Sequence, residues 1–362
     1  MGVATLFWAG GLVPLIVARG LTNFLSGYRS REPKLIFLAG AKGWENLEYI
    51  ELEQSAKEYL GSDGVVSIHL APKGYIRQVH LSLREHKPSH LFFDPRNGSQ
   101  ALLKGYLESL AISVLLIFYR CVPIALLNNF PEVKWRRKVN VVTAGAGIII
   151  TLLNPREIQT EFPFSRLIGP MPLALSSRRL NGLRPNWKES SRSPVRPTIR
   201  FVGSLYEPRA SLVEKAKREI EKTAAKFEII GRDLDEPKID DKSYMDLLAN
   251  CEFNFTTAEH KGPMLEGQRA VHLVYRYTEA LAAGTILVAQ NIPGMQKFLR
   301  EGEHFVSYSR VENLAEEIRP YIEDTKLRER ISNQARARIS EIVNSKFFWS
   351  SVDLALGRDS LY

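Results

Sequence analysis

The sequence predicts an α/β protein built from two doubly wound domains. Three observations carry that prediction. The chain has 362 residues, more than the roughly 100–200 of one ordinary domain. Short apolar runs of strand length alternate with longer stretches of helical periodicity, the pattern of a parallel sheet covered on both faces. The alternation breaks once, at Ser176–Pro197, a stretch rich in Ser, Pro and Arg that has no period. The organisation read from this is a first domain over 1–175, a basic linker or loop over 176–197, a second domain over 198–343, and an apolar segment over 344–362 that packs back on the body.

The elements follow in order. Val3–Ala18 (VATLFWAGGLVPLIVA) carries no charge and invites a membrane anchor. It is shorter than the ~20 residues of a spanning helix, Gly10, Gly11 and Pro14 interrupt it, and no positive charge precedes it. A strand over Ala4–Ala9, a turn at Gly10–Gly11 and a helix over Val13–Gly27 fit better, as the opening of a doubly wound domain. Further strands are expected at Lys34–Ala39, Val65–Leu70, His90–Asp94, Val122–Leu127 and Gly147–Leu152. Helices lie between them near Glu45–Leu60, Ile76–His86, Gln100–Tyr119 and Glu132–Ala144, the apolar Leu107–Phe118 part reading as a buried core helix.

The grammar restarts at Thr198. Strands are expected at Ile199–Val202, Phe227–Ile230, Glu252–Phe255, Thr285–Ala289 and Phe305–Tyr308. Helices are expected at Pro208–Lys226, Ser243–Asn250 and Val271–Ala283, with two more through Leu314–Val343. The aromatic tail Phe347–Leu356 has to pack against something.

Composition narrows the function classes. Hydrophobic residues at 44% and charged residues at 25% exclude wholesale disorder and a multi-span membrane protein. Cys121 and Cys251, the only two cysteines, lie in apolar stretches and read as core residues of a protein from a reducing, cytoplasmic compartment. The net charge of +9 suits an acidic membrane surface or a phosphate-bearing ligand. Nucleic acid is disfavoured, because the basic residues are dispersed and carry no nucleic-acid-binding motif. The arginines of the Ser176–Pro197 stretch either meet an anionic surface or solvate a flexible connection.

One passage is more specific: Tyr275–Ala289 (YRYTEALAAGTILVA), with Asn291–Gly294 and Gly302–Tyr308 after it. It resembles the donor-binding region of B-type glycosyltransferases, of the group-1-like and exostosin-like families. Phe201–Arg209 (FVGSLYEPR) looks like the glycine loop and basic residue that open the donor domain there, and Phe227–Arg232 (FEIIGR) like the next strand. The resemblance implies two Rossmann-like domains facing across a cleft. It also implies transfer of a sugar from a nucleotide-diphosphate donor to a glycan, lipid-linked or small-molecule hydroxyl, with the nucleotide sugar as substrate and no cofactor or metal.

A diphosphate leaving group needs fixed donors and positive charge. Gly203 and Ser204 can offer backbone N–H groups at a strand–helix turn. Arg209, Arg232 and Arg276 are cationic candidates suited to forked phosphate contacts; Lys261 and Arg269 read as solvated loop residues. Tyr277 joins the nucleotide-contacting set, and the resemblance implies that Glu279 accepts from the ribose hydroxyls. Arg276 and Glu279, three apart on one helix, suit a shared ligand or form a plain i,i+3 pair. The position eight before Glu279 is Val271 where retaining members carry glutamate, so stereochemistry stays open. Gly11 either lets phosphate approach the first turn or only makes that turn. Candidate bases are Asp94 and His69, at the carboxyl ends of adjacent strands where doubly wound folds place ligands. Asp94 reads equally as a cap of the turn before Pro95, and His69 reads more readily as a satisfied core or rim histidine than as a base. Asp233 and Asp235 have metal-binding spacing, but their neighbours Glu236, Asp240 and Asp241 mark an acidic surface loop. The alternatives to transfer are a sugar-nucleotide epimerase of the same fold and a non-catalytic protein binding glycan or membrane.

Overall fold

The computed structural model describes residues 35–39, 47–70, 74–99, 101–127, 133–145, 147–183, 196–232, 239–258 and 273–356. The expected elements at 4–27 with Gly11, the Asp233–Asp235 pair, and Lys261, Arg269 and Val271 lie outside them. The chain divides into two units, one of residues 1–171 with 349–362 and one of 172–348.

The first unit holds a six-stranded parallel sheet of β1 (Leu35–Ala39), β2 (Val65–His69), β3 (His90–Phe93), β4 (Val122–Leu127), β5 (Ile148–Thr151) and β6 (Arg166–Ile168). Its order is β2-β1-β3-β4-β5-β6. Strands β3 and β5 are buried throughout, as their unbroken apolar sequence requires of strands covered on both faces. Strand β6 was not legible, being three residues long and opening on an exposed arginine. The helices are α1 (Leu47–Leu60), α2 (Tyr75–His86), α3 (Leu102–Phe118) and α4 (Val133–Thr143). Helix α3 corrects the expectation of a buried helix. Its Gly105, Ser109, Ile112 and Leu116 are buried, but Leu103, Leu107, Val114 and Phe118 are exposed.

The second unit holds a five-stranded parallel sheet of β7 (Thr198–Ser204), β8 (Lys226–Arg232), β9 (Phe253–Phe255), β10 (Ile286–Ala289) and β11 (Val306–Ser307), in the order β11-β10-β9-β7-β8. A short helix α5 (Ser177–Gly182) lies inside the stretch expected as linker, its first turn capped by the Ser176 hydroxyl accepting from the Arg179 N–H. Then come α6 (Arg209–Ile220), α7 (Asp241–Ala249), α8 (Tyr275–Ala282), α9 (Leu314–Glu323) and α10 (Thr325–Ile342). Ile199, Phe201, Phe253, Phe255, Ile286 and Val288 bring the sheet's apolar side chains into one core.

The last helix, α11 (Ser345–Ala355), lies mostly within the first unit. Trp349, 3% exposed, meets Phe37 and Phe92 edge-on at 6.2 and 6.3 Å. Its Nε1–H donates to Ser55 Oγ at 3.0 Å, and Tyr59 donates to Asp353 at 2.9 Å.

Candidate functional site

The residues converge where β7 ends. Gly203 has φ +153°, a backbone that favours glycine, and a Cβ there would lie 2.6 Å from Arg276 Nη2 and 3.0 Å from its Cζ. The missing side chain therefore lets the Arg276 guanidinium lie across the strand end. Arg276 comes from the first turn of α8, with its guanidinium carbon 5.7 Å from the centre of the Phe201 ring. Its Nε–H is buried and has no hydrogen-bond acceptor among the described residues.

Arg209 reaches the same place from the first turn of α6. It is buried, 7% exposed. Its Nε donates to Thr257 Oγ1 at 3.1 Å and its Nη1 lies 3.5 Å from the Ser204 carbonyl, with the guanidinium 4.4 Å above the Tyr206 ring. Burial, and next the positive charge of Arg276, push its pKa down to about 10. Among the described residues neither guanidinium has a carboxylate partner. Two cations are thus held together at one strand end, a field that favours an anion.

Glu279 is placed differently from the expectation of a ligand-facing carboxylate. It is 2% exposed, and its two oxygens meet three protein donors. Arg179 Nε donates to Oε1 at 3.0 Å and Nη2 donates to the same oxygen, while Tyr244 donates to Oε2 at 2.8 Å. Arg179, itself 2% exposed, also bonds Asp241 through Nη1 at 2.7 Å. Burial and the Glu279 charge push the Tyr244 phenol's pKa up. Arg276 and Glu279 form no ion pair among the described residues: the carboxylate is held by Arg179 and the guanidinium lies against Gly203, while the Tyr244 phenol stands beside both side chains. Tyr277 is fully buried, with its hydroxyl on the Gln290 carbonyl at 2.9 Å, and belongs to the core. Ser204 lies within β7, in register with Arg232 of β8.

In the first unit, Asp94 follows β3 at the expected sheet edge but is 4% exposed. Its Oδ1 accepts from the Arg96 backbone N–H and from Arg96 Nε, both at 2.9 Å, and Oδ2 accepts from Nη2. The Asp94–Pro95–Arg96 turn spends this carboxylate on its own closure, which corrects its reading as a free base. Lys138 of α4 supports the same loop through the Pro95 and Asn97 carbonyls, each at 3.0 Å, and burial holds its pKa down at about 8. His69 ends the edge strand β2 and is exposed; β1 lies between β2 and β3, which corrects the expectation that His69 and Asp94 end adjacent strands.

Arg179, Tyr206, Tyr244 and Thr257 were missed. Arg179 sat in an aperiodic stretch and its partner is 100 residues away. Tyr206 carried the one available signal, an aromatic ring in the turn before Arg209.

Residues 209–344 match the family described as glycosyl transferase-like. No curated protein matches the chain in sequence. Among solved structures, Anabaena HepE in complex with UDP superposes with a TM-score of 0.55 at 14% identity, over 90% of this chain and 99% of HepE. Sucrose-phosphate synthase from Thermosynechococcus elongatus gives 0.57 at 12% identity over 90% of this chain and 98% of that one. A glycosyltransferase from Rickettsia africae gives 0.55 at 12% identity over 91% and 100%. The chain therefore carries a glycosyl transferase-like domain and has the two-domain B-type glycosyltransferase fold, as its motifs implied.

Proposed function

We propose that this chain, with its glycosyl transferase-like domain and B-type fold, transfers a sugar from a nucleotide-diphosphate donor to a hydroxyl of a glycan, lipid-linked or small-molecule acceptor. The observation that carries the reading is the convergence of Arg209 and Arg276 on Gly203 with, among the described residues, no carboxylate between them. A diphosphate bridging the two guanidiniums relieves their repulsion and meets the buried Nε–H of Arg276. Negative charge grows on the leaving nucleotide as the glycosidic bond breaks, and preorganised cations in a dry site stabilise that charge. In this reading the two arginines do what a divalent cation does elsewhere, so turnover is independent of metal. UDP is the first donor base to test, because HepE has been seen with UDP and with UDP-glucose.

If transfer inverts the anomeric centre, the proton of the acceptor hydroxyl needs a side-chain base. We assign this to His69, exposed at the carboxyl edge of the first sheet, in preference to Asp94, which Arg96 holds. A cytoplasmic location belongs to the same reading and is supported by the two unbridged thiols.

Calorimetric titration with UDP, GDP and ADP tests the donor site. At least one is expected to bind, and Arg276→Met to weaken it roughly 10-fold or more; binding of none sinks the proposal. His69→Ala should lower kcat by about 10²–10⁴ while leaving nucleotide affinity unchanged, and a chelator should leave the parent's rate unchanged. An unaltered kcat removes His69 from the mechanism.

A further inference from the structure

We infer that the outer face of α2 and α3 docks on an anionic phospholipid surface. The inference is independent of the donor site. Leu103, Leu107, Val114 and Phe118 fall at i, i+4, i+11 and i+15 of α3, one stripe of a helix. Leu103 is 72% and Phe118 75% exposed. Elsewhere on the helix Ile112 and Leu116 are buried, Tyr106, Leu110 and Ile117 pack against Val141 and Ala144, and Leu102 at its first turn is 54% exposed. Helix α2 extends the stripe with Leu81, 48% exposed. The His80 ring and the Tyr119 hydroxyl, 3.2 Å apart, tie its outer face to the end of α3.

Apart from Glu85, the exposed charges of these two helices and their ends are positive. Arg77 and Arg84 flank Leu81 on the same face of α2, Lys87 follows that helix, and Lys104 and Arg120 stand at the two ends of α3, all exposed. Glu85 is the exposed acid of these two helices, while the Glu108 carboxylate turns back to accept from the Ser99 N–H at 2.6 Å. An apolar centre with a basic rim matches a bilayer surface, where leucine and phenylalanine enter the acyl boundary and arginine and lysine meet lipid phosphates. A second copy fits worse, because a two-fold interface sets the same patch against itself and brings like charges together. None of the described helices is long and apolar enough to cross a membrane, so the contact is peripheral.

The test is co-sedimentation of the full chain with vesicles of phosphatidylcholine alone or containing about a third phosphatidylglycerol. Binding is expected only with the anionic lipid, falling as salt rises from about 0.1 to about 0.5 M. Leu107→Ser with Phe118→Ser should weaken it at least roughly 10-fold. Arg77→Gln, Arg84→Gln and Lys104→Gln should each weaken it roughly 5-fold. Unchanged nucleotide binding and circular dichroism show that the variants are folded. No vesicle binding by the parent overturns the proposal. So does undiminished binding by both variant sets, which moves the contact elsewhere, for example to Val3–Ala18. A parent dimer that the α3 variant makes monomeric, with no lipid binding, overturns it in favour of a second copy.

Discussion

Gly203→Ala puts the proposed donor site to its most direct test. The added Cβ would stand 2.6 Å from Arg276 Nη2, and ordinary contact begins at 3.4 Å, so the guanidinium has to withdraw by at least the difference, 0.8 Å. That is enough to break a charge-assisted hydrogen bond to a diphosphate oxygen, a loss of about 1.5–3 kcal/mol, or about 10- to 150-fold in UDP affinity. The backbone strain at φ +153° destabilises the fold separately, by about 1–3 kcal/mol. Calorimetric titration with UDP and urea unfolding measure the two effects independently. Gly61→Ala is the control: its φ is +79° but nothing lies within 4 Å, so it should lower stability and leave affinity alone. In an Arg276→Met background, Gly203→Ala should lower affinity no further. If Gly203→Ala reduces stability as expected but binds UDP like the parent, the guanidinium at Gly203 does not hold the ligand.

Other expectations follow from buried charge. Arg179→Met leaves Glu279 buried without its cation and should destabilise by about 3–5 kcal/mol in urea unfolding. Adding Glu279→Gln should restore a large part of the loss, and a double variant no more stable than the single one contradicts the pairing. Lys138 holds its proton less tightly in the folded chain, at about 8 against 10.5 unperturbed. Its penalty is therefore complete below pH 8 and lifts as pH rises toward 10.5. Measured against Lys138→Met, the parent should gain about 2 kcal/mol between about pH 7.5 and 9.5; a flat difference rejects the shift. Cys251, 1% exposed with its pKa pushed up by burial to about 12, and Cys121, 5% exposed, should resist a thiol reagent in the native chain and both react in denaturant. Rapid native labelling of either disagrees with the packing.

What the sequence disclosed and what it hid follow a physical division. Alternating strands and helices are local patterns, so most of both sheets could be read within a few residues of their ends. The break at Gly203 and the basic residue six positions on were readable because a strand–helix turn is also local. Orientation was not. Arg276 and Glu279 share a helix face by spacing, yet one meets Gly203 and the other Arg179, because the partners come from distant segments. Asp94 stood at the right sheet edge, but a carboxylate two residues before an arginine closes its own turn. Helix α6 stops at Ile220 although its polar periodicity runs on to Lys226, since β8 starts at Lys226 in register with Thr198. The apolar α3 looked like core because hydropathy reports how apolar a helix is, not whether anything covers it.

The placement of α11 has a consequence for how the chain is made. Trp349 completes an aromatic cluster whose other members, Phe37 and Phe92, leave the ribosome far earlier. The first sheet is therefore synthesised without its closing helix and waits while residues 172–348 are made, roughly 10–35 s at ~5–20 residues per second. Over that interval the second unit can fold to completion before the first. A chain interrupted near residue 344 keeps the whole second sheet yet leaves the first unit uncapped, so a nascent or truncated product is a half-finished protein at its beginning and not at its end.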